Sequence, residues 1–254
     1  RLASKVLTFL QFQLITRRQK FTKSSKNKST NGTMGNSENC VIFGVRAPLV
    51  VDYETVALRG ARTIACGISV EGHPRVMLGT KIIDLANIES IGPATAIPCA
   101  FGPSRRQELA EVAASHGLKL AESLIDPDVF LPPMVRIGQG GFINTGVVLG
   151  AGCVFGDGVL VNRSASIGHH CVLGVWGSVG PGAIVSGNVR VGQGTMIGAG
   201  AILQSDIRVG AGVRISAGSV VRKSVPDGSI VAGNPARTLR GRAVPSALKR
   251  EGAE

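Results

Sequence analysis

From Ile125 onward the chain keeps a period of six. Ile125, Leu131, Ile137, Ile143, Leu149, Phe155, Val161 and Ile167 open successive hexads, and the series runs on through Leu173, Val179, Val185, Val191, Ile197, Leu203, Val209 and Ile215 to Val221 without one polar residue. Second positions are mostly glycine, as at Gly138, Gly150, Gly156, Gly168 and Gly174, and fifth positions are small or β-branched, as at Val147, Cys153, Ala165, Cys171 and Ala183. A helix repeats its apolar face about every 3.6 residues and a half-buried strand every two, so neither holds this register. A short strand plus a corner per hexad does, with first and fifth side chains stacked inward and glycine easing the turn. Three sides close one coil, and the frame over residues 125–226 predicts a parallel β-helix of between five and six coils.

Upstream the pattern changes. "CVIFG" (40–44) reads as a buried strand ending in glycine, and "APLVVDYETVALRGA" (47–61) has helical spacing. "RTIACGISV" (62–70) and "TAIPCAFG" (95–102) read as two further strands, and "PSRRQELAEVAASHG" (103–117) as a helix closed by Gly117 at its C-cap. The predicted order is a small α/β, Rossmann-like domain with a parallel sheet over 39–122, a β-helix domain over 123–240 and a C-terminal tail over 241–254. A strand-glycine-helix unit is where a nucleotide docks, but a dinucleotide fingerprint needs G-x-G-x-x-G and only Gly44 is present here. Two readings stand: a plain tight turn, or a phosphate-facing loop that uses Gly44 and Arg46.

Charge alters the picture less than its size suggests. Of the formal +12, eight positive charges lie in residues 1–33 (Arg1, Lys5, Arg17, Arg18, Lys20, Lys23, Lys26, Lys28), with no acid among them. The remainder carries an ordinary charge, which argues against nucleic acid as a partner. Residues 1–38 read as a disordered basic leader or an upstream extension, with a natural start near Met34. The apolar run from Val6 to Ile15 is too short to span a bilayer, so no membrane association is expected. Five cysteines without a CxxC pair fit a reducing, cytoplasmic setting. The 35 glycines and 4% aromatic content suit a tightly wound repeat better than a layered core.

With a coil of eighteen residues, each residue stacks on those one coil away, so the sequence becomes a contact map. His169 falls between Ala151 and Gly187, and His170 between Gly152 and Asn188, which leaves room for a ligand on the outer wall. Cys171 falls at an inward position over Cys153 and reads as a core thiol. A three-histidine zinc site is not expected, because the repeat holds only His169 and His170 while His73 and His116 lie upstream.

The α/β opening, "VNRSASIGHHCVLG" (161–174), "PGAIVSGNVRVGQGTMIGAGA" (181–201) and "DGSIVAGNPAR" (227–237) together resemble the bacterial hexapeptide-repeat sugar acyltransferases. The likeness is to the sialic acid O-acetyltransferases and the UDP-amino-sugar N-acetyltransferases of bacillosamine synthesis, over roughly residues 39–240. It implies a left-handed β-helix, acetyl-CoA as co-substrate, a sugar or UDP-sugar acceptor, and a homotrimer with its groove between adjacent subunits. By position it implies His169 as general base, with Gly168 and His170 standing where the family carries acidic residues. Asn162, seven residues before the base, would orient the acceptor. Ser178 takes the place of a second family histidine near the thioester, and Gly187, Ala199 and Ala217 would line the pantetheine. Arg106 matches a family arginine if one residue is deleted. Acceptor contacts are expected from Gly44, Arg46 and His170. The rival expectation is a degenerate β-helix that binds a nucleotide sugar or a protein without catalysis.

Overall fold

The structure, a computed structural model, describes residues 39–75 and 78–241; the leader expected over 1–38 and the tail after Gly241 lie outside the described residues. The first part is a sheet of β1 (Asn39–Phe43), β2 (Ile64–Ser69), β3 (Ile82–Asp84), β4 (Ala94–Pro98) and β5 (Lys119–Leu120). All pairings are parallel and the order is β3-β2-β1-β4-β5, so the winding reverses between β1 and β4. Alternation along β1 serves two layers. Cys40 and Ile42 pack towards helix α1 (Val50–Arg59), while Val41 and Phe43 pack towards helix α2 (Pro103–Ser115).

Helix α1 carries Asp52 in its first turn and Arg59 in its last, which suits its dipole, and it buries Val50, Tyr53 and Val56. Pro103 starts α2 at a position with no N–H to satisfy. The helix ends at Ser115 with His116 as C-cap, and Gly117, expected as the cap, is the next residue, with φ +78°. Sequence patterning had not marked β3, the 3₁₀ segment Leu85–Ile91 or β5.

The second part is the β-helix. One side stacks strands Arg136–Ile137, Val154–Phe155, Val172–Leu173, Arg190–Val191 and Arg208–Val209, and another stacks Val148–Leu149, Ser166–Ile167, Ile184–Val185, Ile202–Leu203 and Val220–Val221. The third side has eight strands and begins Leu124–Ile125, Phe142–Ile143, Leu160–Val161 and Ser178–Val179. Partners such as Val154 and Val172, or Ser166 and Ile184, are one coil apart in parallel register. This arrangement with its hexad repeat fits a left-handed parallel β-helix.

First-position side chains fill the interior: Ile143, Val161, Val179 and Ile197 are fully buried, with Cys153, Ala165, Cys171 and Ala183 beside them. Backbone N–H groups of one coil donate to carbonyls of the next, as from Val154 to Cys171 and from Gly168 to Val185. The expected unbroken frame needs one correction. No strand forms at Leu131, which is 47% exposed, because Pro132 and Pro133 follow it and proline brings no N–H to a ladder.

The two parts share a core. Phe142 and Leu160 point out of the β-helix yet are fully buried, because they join the cluster of Ile42, Tyr53 and Ile97. Tyr53 stacks on Phe142 with ring centroids 3.9 Å apart and an interplanar angle of 20°.

Candidate active site

The strand Ser166–Ile167 leads into a corner, Gly168 to Cys171, and the strand Val172–Leu173 leads out. The corner is pinned on both sides: His170 N–H donates to Ala151 O, and Asn188 N–H donates to His169 O, each at 2.9 Å. Both histidines are exposed, as the frame predicts, and their rings part along the coil axis. His169 covers Gly187, where an added Cβ would stand 2.7 Å from Nε2; His170 covers Gly152, where one would stand 2.9 Å from Cδ2. Their Nδ1 atoms are 3.0 Å apart, and the rings meet edge to face at 80°. Beneath them Cys171 is fully buried and donates to Ser186 O at 3.1 Å. The hydrogen bond with Cys153, and then burial, push its thiol up, which suits a core residue rather than a nucleophile.

Gly44 and Arg46 are brought together at a pocket of about 430 Å³ that also includes Ala47, Pro48, Glu71, Arg75 and Arg105. It opens at the carboxyl ends of β1, β2 and β4, beside the reversal of winding, where ligands of open parallel sheets bind. Gly44 has φ +90°, and a Cβ there would strike Leu109 Cδ1 at 2.5 Å, so the close approach of α2 demands glycine. Neither α1 nor α2 has a side-chain N-cap. Glu71 accepts from Arg105 at 2.7 Å and from Arg46 at 3.5 Å. With Arg75 the pocket carries three guanidinium groups against one carboxylate.

Asn162 lies on a different corner, the one that leads into Ser166–Ile167, whereas His169 lies on the one that leads out. It is 7% exposed, and its Oδ1 accepts from Asn144 Nδ2 at 2.9 Å and from Arg163 N–H at 2.8 Å. Asp52 of α1 closes this network by accepting from Asn144 and Arg163, each at 2.9 Å. Any contact of Asn162 with an acceptor therefore goes through Nδ2. Ala199 and Ala217 are exposed one coil apart, on the corner stack that also holds Arg163.

Ser178 requires a correction. It was expected beside the thioester, but it is 1% exposed beneath the α/β part, where its Oγ accepts from Arg106 at 2.9 Å and donates to Phe101 O at 2.7 Å. Arg106, fully buried, is the centre of that contact. Its guanidinium also donates to five carbonyls: Ala100, Phe101, Gly158, Trp176 and Gly177. Burial pulls its pKa down to about 10, which leaves it protonated near neutrality. Among the described residues no cluster of His, Cys, Asp and Glu could hold a metal ion, and no helix is long and apolar enough to cross a membrane.

Comparison with known proteins bears on this geometry. The family model "Bacterial transferase hexapeptide (six repeats)" matches residues 188–223. Curated proteins gave no match by sequence. Among solved structures, the acetyltransferase domain of PglB from Neisseria gonorrhoeae, in complex with acetyl coenzyme A, is 32% identical over 81% of this chain and 100% of its own, with a TM-score of 0.71. The chain belongs to the bacterial hexapeptide-repeat sugar acyltransferases.

PerB from Caulobacter crescentus, in complex with CoA and GDP-perosamine, is 26% identical over 81% of this chain and 98% of its own, with a TM-score of 0.73. Variants of that enzyme with one histidine replaced by asparagine or alanine are known with the same two ligands. WeeI from Acinetobacter baumannii, at 24% identity over 80% of this chain and 100% of its own and a TM-score of 0.70, shares the fold.

A Cβ at Gly168, where the acidic residue was looked for, would stand 2.5 Å from Gly187 N and 2.7 Å from Ser186 C. Those are backbone atoms of the next coil, so this backbone has no room for a side chain at 168. Sequence reasoning missed Arg75, Arg105 and Glu71 at the pocket. Their only signal was a place just after a strand or at a helix start, which many charged surface residues share.

Proposed function

We propose that the protein is an acetyl-CoA-dependent sugar acyltransferase in which His169 is the general base. The reading adds a Rossmann-like nucleotide-sugar domain over 39–122 to a left-handed β-helix over 123–240. The unprotonated Nε2 of His169 takes a proton from an acceptor amine or hydroxyl as that group attacks the thioester carbonyl. The carbon–sulfur bond then breaks, CoA leaves as the thiol with that proton, and backbone N–H groups steady the oxyanion. The observation that carries the reading is the exposed His169 ring, its Nε2 over the bare face of Gly187, in a chain 32% identical to an acetyltransferase domain solved with acetyl coenzyme A.

The acceptor side is supported by the pocket at Gly44 and Arg46. Two uncapped helix starts and three arginines there favour the diphosphate of a nucleotide sugar. His170 and Asn162 would meet the sugar, and Gly187, Ala199 and Ala217 the pantetheine. A homotrimer is supported by an outward column of Phe130, Val148, Ile184 and Ile202, each 38–76% exposed, along the side flanked by the Asn162 and His169 corners. Apposing these corners from two copies would join residues that one chain holds apart. Five buried free cysteines fit a reducing cytoplasm.

The bare Gly168 and the occupied Ser178 would also suit a protein that binds without catalysis. Mass spectrometry of a panel of UDP- and GDP-linked amino sugars and sialic acids, incubated with protein and acetyl-CoA, separates the two. One acetylated acceptor supports the enzyme; a nucleotide sugar bound by the protein with every acceptor left unchanged supports the binding module.

A further inference from the structure

An imidazole that acts as base at Nε2 must carry its other proton on Nδ1, and an acceptor on the Nδ1 side fixes that tautomer. A carboxylate commonly serves, but residue 168 cannot supply one, because the backbone of Ser186 and Gly187 occupies the space a side chain would need. The hydrogen-bond partner that the structure gives His169 Nδ1 is Nδ1 of His170, at 3.0 Å.

Two ring nitrogens at that distance share a single proton: one donates and the other accepts. Only one direction is productive. With His169 Nδ1–H donating to His170, the lone pair of His169 sits on Nε2, the ring atom nearest the bare face of Gly187. When Nε2 gains a proton from the acceptor, the positive charge on His169 strengthens that same bond. The reverse direction would place a proton on Nε2 and leave no base there.

The backbone is arranged for this pairing. His170 has φ +56°, a left-handed conformation. The equivalent position in the other coils is left-handed too, at Met134, Gly152, Asn188 and Asp206. The turn sends its ring over Gly152, away from Gly187, so Nδ1 faces His169 while Nε2 is left clear of it.

We infer that His170 is a positioning residue that replaces the missing carboxylate, accepting the Nδ1 proton of His169 and so holding Nε2 ready as the base. The inference rests on the acyltransferase reading above for its catalytic meaning, but the tautomer can be read without any substrate.

The test uses three variants that keep the left-handed turn, because neighbouring coils already place the same residue types there: His170→Gly, His170→Asn and His170→Asp. Oδ1 of asparagine or aspartate occupies the same place along the side chain as Nδ1 of histidine. Nitrogen-15 NMR of the ring should show His169 with its proton on Nδ1 in the wild type, shifting to the ordinary Nε2 tautomer in His170→Gly. With any acceptor that turns over, His170→Gly should lower kcat about ten- to a hundredfold at unchanged acetyl-CoA KM. His170→Asp should restore or exceed the wild-type rate, with His170→Asn between them. A wild-type His169 protonated on Nε2, or a tautomer unmoved by His170→Gly, would overturn the inference. The expected tautomer without turnover of any acceptor would support the pairing and count against the acyltransferase reading alone.

Discussion

His169 rests on Gly187. A methyl group at residue 187 would stand 2.7 Å from Nε2, 2.9 Å from Cε1 and 3.2 Å from Cδ2, so the absent side chain is what lets the imidazole lie where it does. Gly187 has an ordinary backbone conformation, and its steric neighbour is the end of an exposed side chain that can swing away. Gly187→Ala should therefore move the ring with little effect on the fold. The expected outcome is a fall in kcat of about a hundredfold, as for a misplacement near 1 Å, with a melting temperature close to that of the wild type. Steady-state kinetics beside a thermal melt check both halves.

Restoring an acidic residue at 168 should fail. The Cβ of Gly168→Glu would meet backbone atoms of the next coil, which cannot retreat as the His169 ring can. A loss of about 1–3 kcal/mol is expected from overpacking, with no gain in rate. Urea denaturation and a kinetic assay on the same sample distinguish this from a carboxylate that is merely misdirected.

Arg106 and Ser178 join the two parts of the molecule, and their variants should separate stability from cofactor binding. Arg106→Met takes away the donor to Ala100 O, Gly158 O and Trp176 O, while Gly177 O keeps Leu160 N–H and Phe101 O keeps Ser178 Oγ; the expected loss is about 3–5 kcal/mol in urea denaturation. Ser178→Ala should cost about 1 kcal/mol and leave the acetyl-CoA KM unchanged. A large KM effect would return Ser178 to the cofactor site that the family resemblance implies for it.

One inward column runs Val147, Ala165, Ala183, Ala201, Ser219, and the last member is fully buried with no partner for its hydroxyl among the described residues. Ser219→Ala continues the alanine column and removes the unsatisfied group. It should raise stability by about 1 kcal/mol, visible as a higher urea midpoint at the same slope.

What the sequence made legible follows from where the information lay. The β-helix is written in side chains: inward Ile, Val and Leu at every sixth residue fix coil, register and neighbours, and the placement of His169 over Gly187 follows from counting eighteen. The break at Leu131 was visible as Pro132-Pro133 but outweighed by the regularity around it. Arg106 was not legible as a staple, because five of its six partners are backbone carbonyls, which any residue supplies. Likewise, position along the frame put Ser178 on an outer face, but the frame alone could not say that the α/β part covers that face.

Release of free CoA thiol from acetyl-CoA tests the central claim most directly, with the wild type and His169→Asn compared across the panel of nucleotide-linked amino sugars and sialic acids. The account predicts acceptor-dependent release by the wild type and a loss of at least about a hundredfold in the variant, with acetyl-CoA affinity retained. Equal rates in the two proteins, or no release with any acceptor, would contradict it.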